Sequence, residues 1–139
     1  MQSRMGGLAM RAYRAGEVLV VLGRGAMTAQ SLQDMRVYAM LEFQRQDARA
    51  LVFDVSRMLY RVDCVDELVA SACRGPRPTA PGAYVVSELA YEPVRKVCWH
   101  LAELGVIRGV FRDRARACAW AADRREHWSH PPALAAAAG

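Results

Sequence analysis

The chain has 139 residues, 53% of them hydrophobic and 24% charged, with a formal net charge of +5. That length suits one domain of about 100–150 residues, enough to bury a core without metal or disulfide staples, and the composition excludes wholesale disorder. No apolar run approaches the roughly 20 residues that span a bilayer, and residues 18–22 are too short for a signal-peptide core, so the sequence reads as a soluble, cytoplasmic protein.

Residues 1–7 carry Gly6 and Gly7 and no periodicity, and are expected to be flexible. Residues 8–13 alternate weakly and predict an edge strand. Gly16 is a turn residue, and it leaves no room for a crossover, so the next strand must be a hairpin partner. That strand, residues 18–22, is a continuous Val-Leu-Val-Val-Leu run, the pattern of a strand covered on both faces. Thr28 has N-cap chemistry. Leu32, Met35, Ala39 and Phe43 follow at helical spacing, flanked by Tyr38 and Met40, and predict a helix over about 29–46.

Residues 50–53 are a second buried strand, closed by Asp54. A surface loop through Met58, Leu59 and Tyr60 is expected next, with Asp63 capping a helix whose stripe is Val65, Leu68, Val69 and Ala72 and whose stop is Gly75. Three prolines and two glycines within residues 75–82 exclude helix and central strand. A strand at 83–86, a helix opening near Pro93 and ending at Gly105, a strand at 106–111 and a helix capped by Asp113 complete the pattern. Its inward face is Ala115, Cys118, Ala119 and Ala122. The order is β-β-α-β-α-β-α-β-α, a mostly parallel α/β sheet with right-handed crossovers. Residues 8–128 form the expected domain, and 129–139, with Pro131, Pro132 and an alanine run, a disordered tail.

Cys64, Cys73, Cys98 and Cys118 are widely spaced, and no His lies at ligand spacing from any of them, so neither metal nor cofactor is expected. Cys98 and Cys118 fall on apolar stripes and read as small buried hydrophobes. Eighteen of the 19 basic residues are arginine, the bias of a GC-rich genome. Arg112, Arg114 and Arg116 are interleaved with Asp113, Asp123 and Glu126 and read as a solvated face; no nucleic-acid partner is expected.

Several segments taken together resemble a known family. Residues 17–28, Glu-Val-Leu-Val-Val-Leu-Gly-Arg-Gly-Ala-Met-Thr, look like the opening strand and helix entry of STAS-like domains, especially the small SpoIIAA-like proteins. Residues 51–56, Leu-Val-Phe-Asp-Val-Ser, look like the family's hydrophobic-Asp-Leu-Ser strand. Residues 105–120, with Ala-Cys-Ala-Trp at 117–120, look like its closing strand and helix. The resemblance spans residues 8–126. It implies a mixed sheet with helices mainly on one face and a role in partner-binding switches, with anti-sigma or kinase-like proteins as partners, or in some relatives small apolar ligands. It does not imply an enzyme.

The family's switch is a Ser or Thr at the start of the second helix. Phosphorylation there adds nearly two negative charges to a positive helix terminus. An ungapped match from Asp54 puts Asp63 at that position, and a one-residue gap puts Cys64 there. Neither is a phosphorylatable hydroxyl, and residues 57–70 contain no Ser or Thr. Asp63 also suits a plain helix cap, and Asp66 a favourable first-turn carboxylate. Ser56 matches the family's strand-end serine, which caps a loop.

A receiver domain would need clustered acids after its first strand, where Gly23-Arg24-Gly25 stands. A dinucleotide fold would need a third glycine, where Thr28 stands. Gly-x-Ser-x-Gly is absent. The leading expectation is a non-enzymatic, STAS-like protein-binding module, unswitched by phosphorylation. Its partner surface would comprise Ser56, Met58, Leu59, Tyr60, Asp63, Cys64 and Asp66. The alternative is a small apolar-ligand carrier with a pocket between sheet and helices, walled by Met27, Met35 and Met40. An exposed edge at residues 8–13 would favour a homodimer.

Overall fold

The computed structural model describes residues 2–5, 7–60, 65–74, 78 and 80–128. In chain order the elements are β1 (Gln2–Met5), β2 (Leu8–Ala15), β3 (Val18–Met27), α1 (Ala29–Arg45), β4 (Ala50–Asp54), β5 (Met58–Tyr60), α2 (Val65–Arg74), β6 (Gly82–Val85), α3 (Tyr91–Glu103), β7 (Arg108–Phe111) and α4 (Arg114–Trp128). The sheet runs β1-β2-β3-β4-β6-β7, with β5 paired to the far end of β3. β1, β2 and β3 are antiparallel neighbours, and β3, β4, β6 and β7 are parallel.

The continuous apolar runs are explained by two cores. On the first face Leu19, Val21, Leu51, Phe53 and Tyr84 pack with Met35, Ala39, Leu68, Ala72, Val94, Val97 and Leu101 from α1, α2 and α3. On the second face Val18, Val20, Ala50, Val52, Ala83 and Val85 lie beneath Ala117 and Ala121 of α4. Successive residues of each strand alternate between the two cores, as the two-residue period requires. Small side chains line the second core, so α4 sits low on the sheet. Its buried stripe is Ala117 and Ala121; Cys118 and Ala122 are half-buried, while Ala115 and Ala119 are exposed. That moves the inward face by a residue from the spacing Ala115, Cys118, Ala119 and Ala122 suggested.

Local chemistry sets the boundaries. Thr28 caps α1 in a reciprocal box with Ser31. Gly16 takes φ +65° between the hairpin strands β2 and β3, and Gly105 takes φ +83° after α3. Asp113 Oδ1 accepts the Ala115 N–H at 3.2 Å at the start of α4.

Two strands differ from expectation. Residues 2–5 form β1 where flexibility was expected, antiparallel to β2 with Met5 in register with Leu8. β2 is therefore paired on both edges, which removes the exposed edge at 8–13 that favoured a homodimer. Residues 58–60 form β5 rather than a surface loop, because β3 continues past the end of β4 and offers Gly25, Ala26 and Met27 for parallel pairing. The cap at Asp63, the helix stop at Gly75 and the tail 129–139 lie outside the described residues. Among the described residues, no helix is long and apolar enough to cross a membrane.

Candidate functional site

The carboxyl ends of the parallel strands gather the candidate residues. β4 ends at Asp54, the chain turns at Ser56 and Arg57, and β5 resumes alongside β3. Asp54 is 4% exposed. Its Oδ1 accepts from the Ser56 hydroxyl at 2.6 Å and from the Ser56 N–H at 3.1 Å. Its Oδ2 is held by Arg114 from the first turn of α4, at 2.8 Å from Nε and 2.7 Å from Nη2. Arg114 also donates to the Tyr13 hydroxyl at 3.0 Å. Burial works against the Arg114 cation, but the hydrogen bonds and charge of Asp54, with Tyr13, raise its pKa above the ordinary guanidinium value. The network ties β2, β4 and α4 together.

The expected surface separates into inward and outward parts. Met58 is buried in the first core and Tyr60 packs partly against it. Strand alternation turns Leu59 to the opposite face, beside its register partner Ala26, and leaves it 74% exposed. Met58 is thus a core residue and not a contact, because β5 is a strand with one inward face. Ser56 is half-buried and committed to Asp54. Asp66 is exposed in the first turn of α2, next to Glu67. Asp63 and Cys64 lie outside the described residues.

The arginines of the run are all exposed, as expected of a solvated face, and two of them are also tied to specific partners. Arg112 pairs with Glu88 and its guanidinium lies 3.9 Å from the centre of the Tyr91 ring, while Arg114 is committed to Asp54. Of the three, Arg116 has the loosest tie, 4.0 Å to Asp113. Sequence reasoning missed the Asp54–Arg114 pair, since 60 residues separate its members and neither has a local signal for the other.

Among the described residues, the sheet and the helices of the first face leave little space where an apolar-ligand pocket is expected, while an open cleft of about 370 Å³, lined by Ala29, Gln30, Gln33, Ser71 and Arg74, lies between α1 and α2. Two voids lie between the sheet and the helices of the first face, each of about 10 Å³, and they share Arg36, Ala72 and Tyr84 in their linings. That is room for a single water at most. Met27 and Met35 pack in the core, and Met40 points outward from α1. Cys98 and Cys118 pack with the apolar cores, and burial pushes the Cys98 thiol up to about 12 and raises that of the half-buried Cys118.

No protein-family model and no curated protein matches the sequence. Among solved structures, the chain is similar to a crystal structure of an uncharacterized protein from the DUF3478 family with a SpoIIAA-like fold, from Shewanella loihica PV-4. The TM-score is 0.51 at 16% sequence identity, covering 87% of this chain and 98% of that one. A mixed sheet, with three helices on one face and one on the other among the described residues, together with this likeness, shows that the chain has a SpoIIAA-like α/β fold.

Proposed function

We propose that this chain is a non-enzymatic regulatory module of the bacterial cytoplasm that binds a protein partner, of the anti-sigma or kinase-like kind, at the carboxyl end of its sheet. The observation that carries this reading is Leu59: a large aliphatic side chain, 74% exposed, on a strand anchored by its neighbours Met58 and Tyr60 in the core. A rigid strand presents such a side chain at low entropic cost, and exposed aliphatic residues on pre-organised backbone are what interfaces use as anchors. Arg57, Asp66 and Glu67, all exposed, supply the polar surroundings of an interface rim.

The same reading holds that phosphorylation does not switch this site. Neither Asp63 nor Cys64 offers a hydroxyl for a serine/threonine-type kinase, and the Ser56 hydroxyl is spent on Asp54, where a phosphate dianion would meet a carboxylate. Site-specific incorporation of a photo-crosslinking amino acid in cells tests the surface. Position 59 is expected to give a discrete protein adduct, and position 41, an exposed leucine on the outer side of α1, none. No adduct at 59, or the same adducts at both positions, would overturn the reading.

A further inference from the structure

The second face of the sheet is only half covered. α4 lies over the amino-terminal half of β3 and over β4, β6 and β7, where Ala117 and Ala121 close the second core. Toward β2 and the far end of β3, the same face continues with no helix over it among the described residues. The register places Arg11 opposite Leu22, Ala9 opposite Arg24, and Ala26 opposite Leu59, all on this face. Arg11, Arg24, Ala26 and Leu59 are exposed, and Ala9 and Leu22 are half-buried.

Arg11 and Arg24 are diagonal neighbours across adjacent strands, a spacing of roughly 7–8 Å. Asp54 is the only carboxylate in the seven strands, and Arg114 already holds it. Among the described residues no carboxylate pairs with Arg11 or Arg24, so the open area presents two cations over a floor of alanine, with Leu59 at its end. Like charges this close work slightly against the fold, and an anionic occupant would relieve them. A second copy of the chain would bring arginines onto arginines. A single-stranded nucleic acid would need an exposed aromatic platform; Tyr13, the aromatic side chain of β2 on this face, is half-buried and hydrogen-bonded to Arg114.

We infer that the uncovered half of the second sheet face, built from Arg11, Arg24, Ala26 and Leu59, docks an acidic protein segment that carries an aliphatic or aromatic residue against Leu59. This rests on the partner-binding reading and adds the partner's chemistry.

The test is selection from a random peptide display library on the wild-type protein, with the Arg11→Glu/Arg24→Glu double variant as comparison and circular dichroism as the check on its fold. Selected peptides are expected to be enriched in Asp and Glu beside an aliphatic or aromatic residue, and to bind the double variant at least about tenfold more weakly. Should charge reversal prevent folding, the Arg11→Gln/Arg24→Gln pair is expected to weaken binding in the same direction. Selected peptides without acidic enrichment, or indifferent to both pairs of substitutions, would overturn the inference, as would an oligothymidylate that binds more tightly than any of them. Peptides lost with Leu59→Glu but indifferent to the arginines would sink this inference and leave the partner-binding reading standing. Peptides indifferent to Leu59→Glu would count against that reading itself.

Discussion

Asp54 shows how one side chain organises the carboxyl end of the sheet. Buried at the end of β4, it accepts from Ser56 and is clamped by Arg114, so the turn, the sheet and α4 share one anion. Arg114 is 43% exposed, so water screens much of the ion pair and the charge-assisted hydrogen bonds carry what remains. Asp54→Asn is expected to lower stability by about 1–3 kcal/mol, read from the shift in urea midpoint. Ser56→Glu forces a second carboxylate against the first and is expected to cost about 1–2 kcal/mol, with intact-mass analysis of the native protein finding no phosphate on residues 56–68. Cys98 gives the molecule an alkaline signature. Its thiol titrates near 9.0 in the ordinary range and, buried, at about 12 in the fold. Between those values the folded state holds the proton that the unfolded chain has lost, so stability falls as pH rises through this window and is fully retained below it. The Cys98→Ala protein is expected to lose stability less steeply between pH 9 and 10; identical slopes for both proteins would contradict this account.

At the scale of elements, β5 divides the candidate surface, and the division is measurable. Met58→Ala removes a core side chain and is expected to cost about 2–5 kcal/mol, whereas Leu59→Ala, one residue on, should stay within about 0.5 kcal/mol. Near-equal costs at the two positions would mean that β5 does not present alternate faces. β3 reaches β5 through Gly25, where φ is +132° and an added Cβ would stand 3.0 Å from the Gly7 carbonyl oxygen. Gly25→Ala is therefore expected to destabilise by about 1–3 kcal/mol, checked by thermal unfolding. The long apolar runs at 18–22, 50–53 and 83–86 were readable because both faces of those strands are covered, and Thr28, Gly16, Gly105 and Asp113 because caps and turns are local chemistry. β5 was not readable: three residues cannot display a period, and their strand character comes from the unpaired end of β3, more than 30 positions earlier. β1 was hidden for a related reason, since a short polar strand is defined by its partner rather than by its own pattern. Of the candidate residues, the sequence singled out the segment 56–60 through its large apolar side chains, but which of them faces out depends on the register of β5.

Among the described residues, one face of the sheet packs against α1, α2 and α3 and the other is half covered by α4, with an exposed leucine where the open half meets the carboxyl ends of the strands. The Arg11–Arg24 pair was invisible in the sequence, because 13 residues separate two arginines that only the hairpin register makes neighbours. Among the described residues, the voids between the sheet and the helices of the first face are of about 10 Å³, too small for an apolar ligand, which favours the outer surface. The central claim is that a protein partner binds there through Leu59. Its most direct test is the affinity of the partner captured by crosslinking at position 59, measured by titration calorimetry against the wild-type protein and Leu59→Glu, with urea midpoints recorded for both. A loss of about 2 kcal/mol or more in binding, the scale of an interface anchor, at an unchanged urea midpoint is the predicted result. Equal affinity for the two proteins would contradict the account.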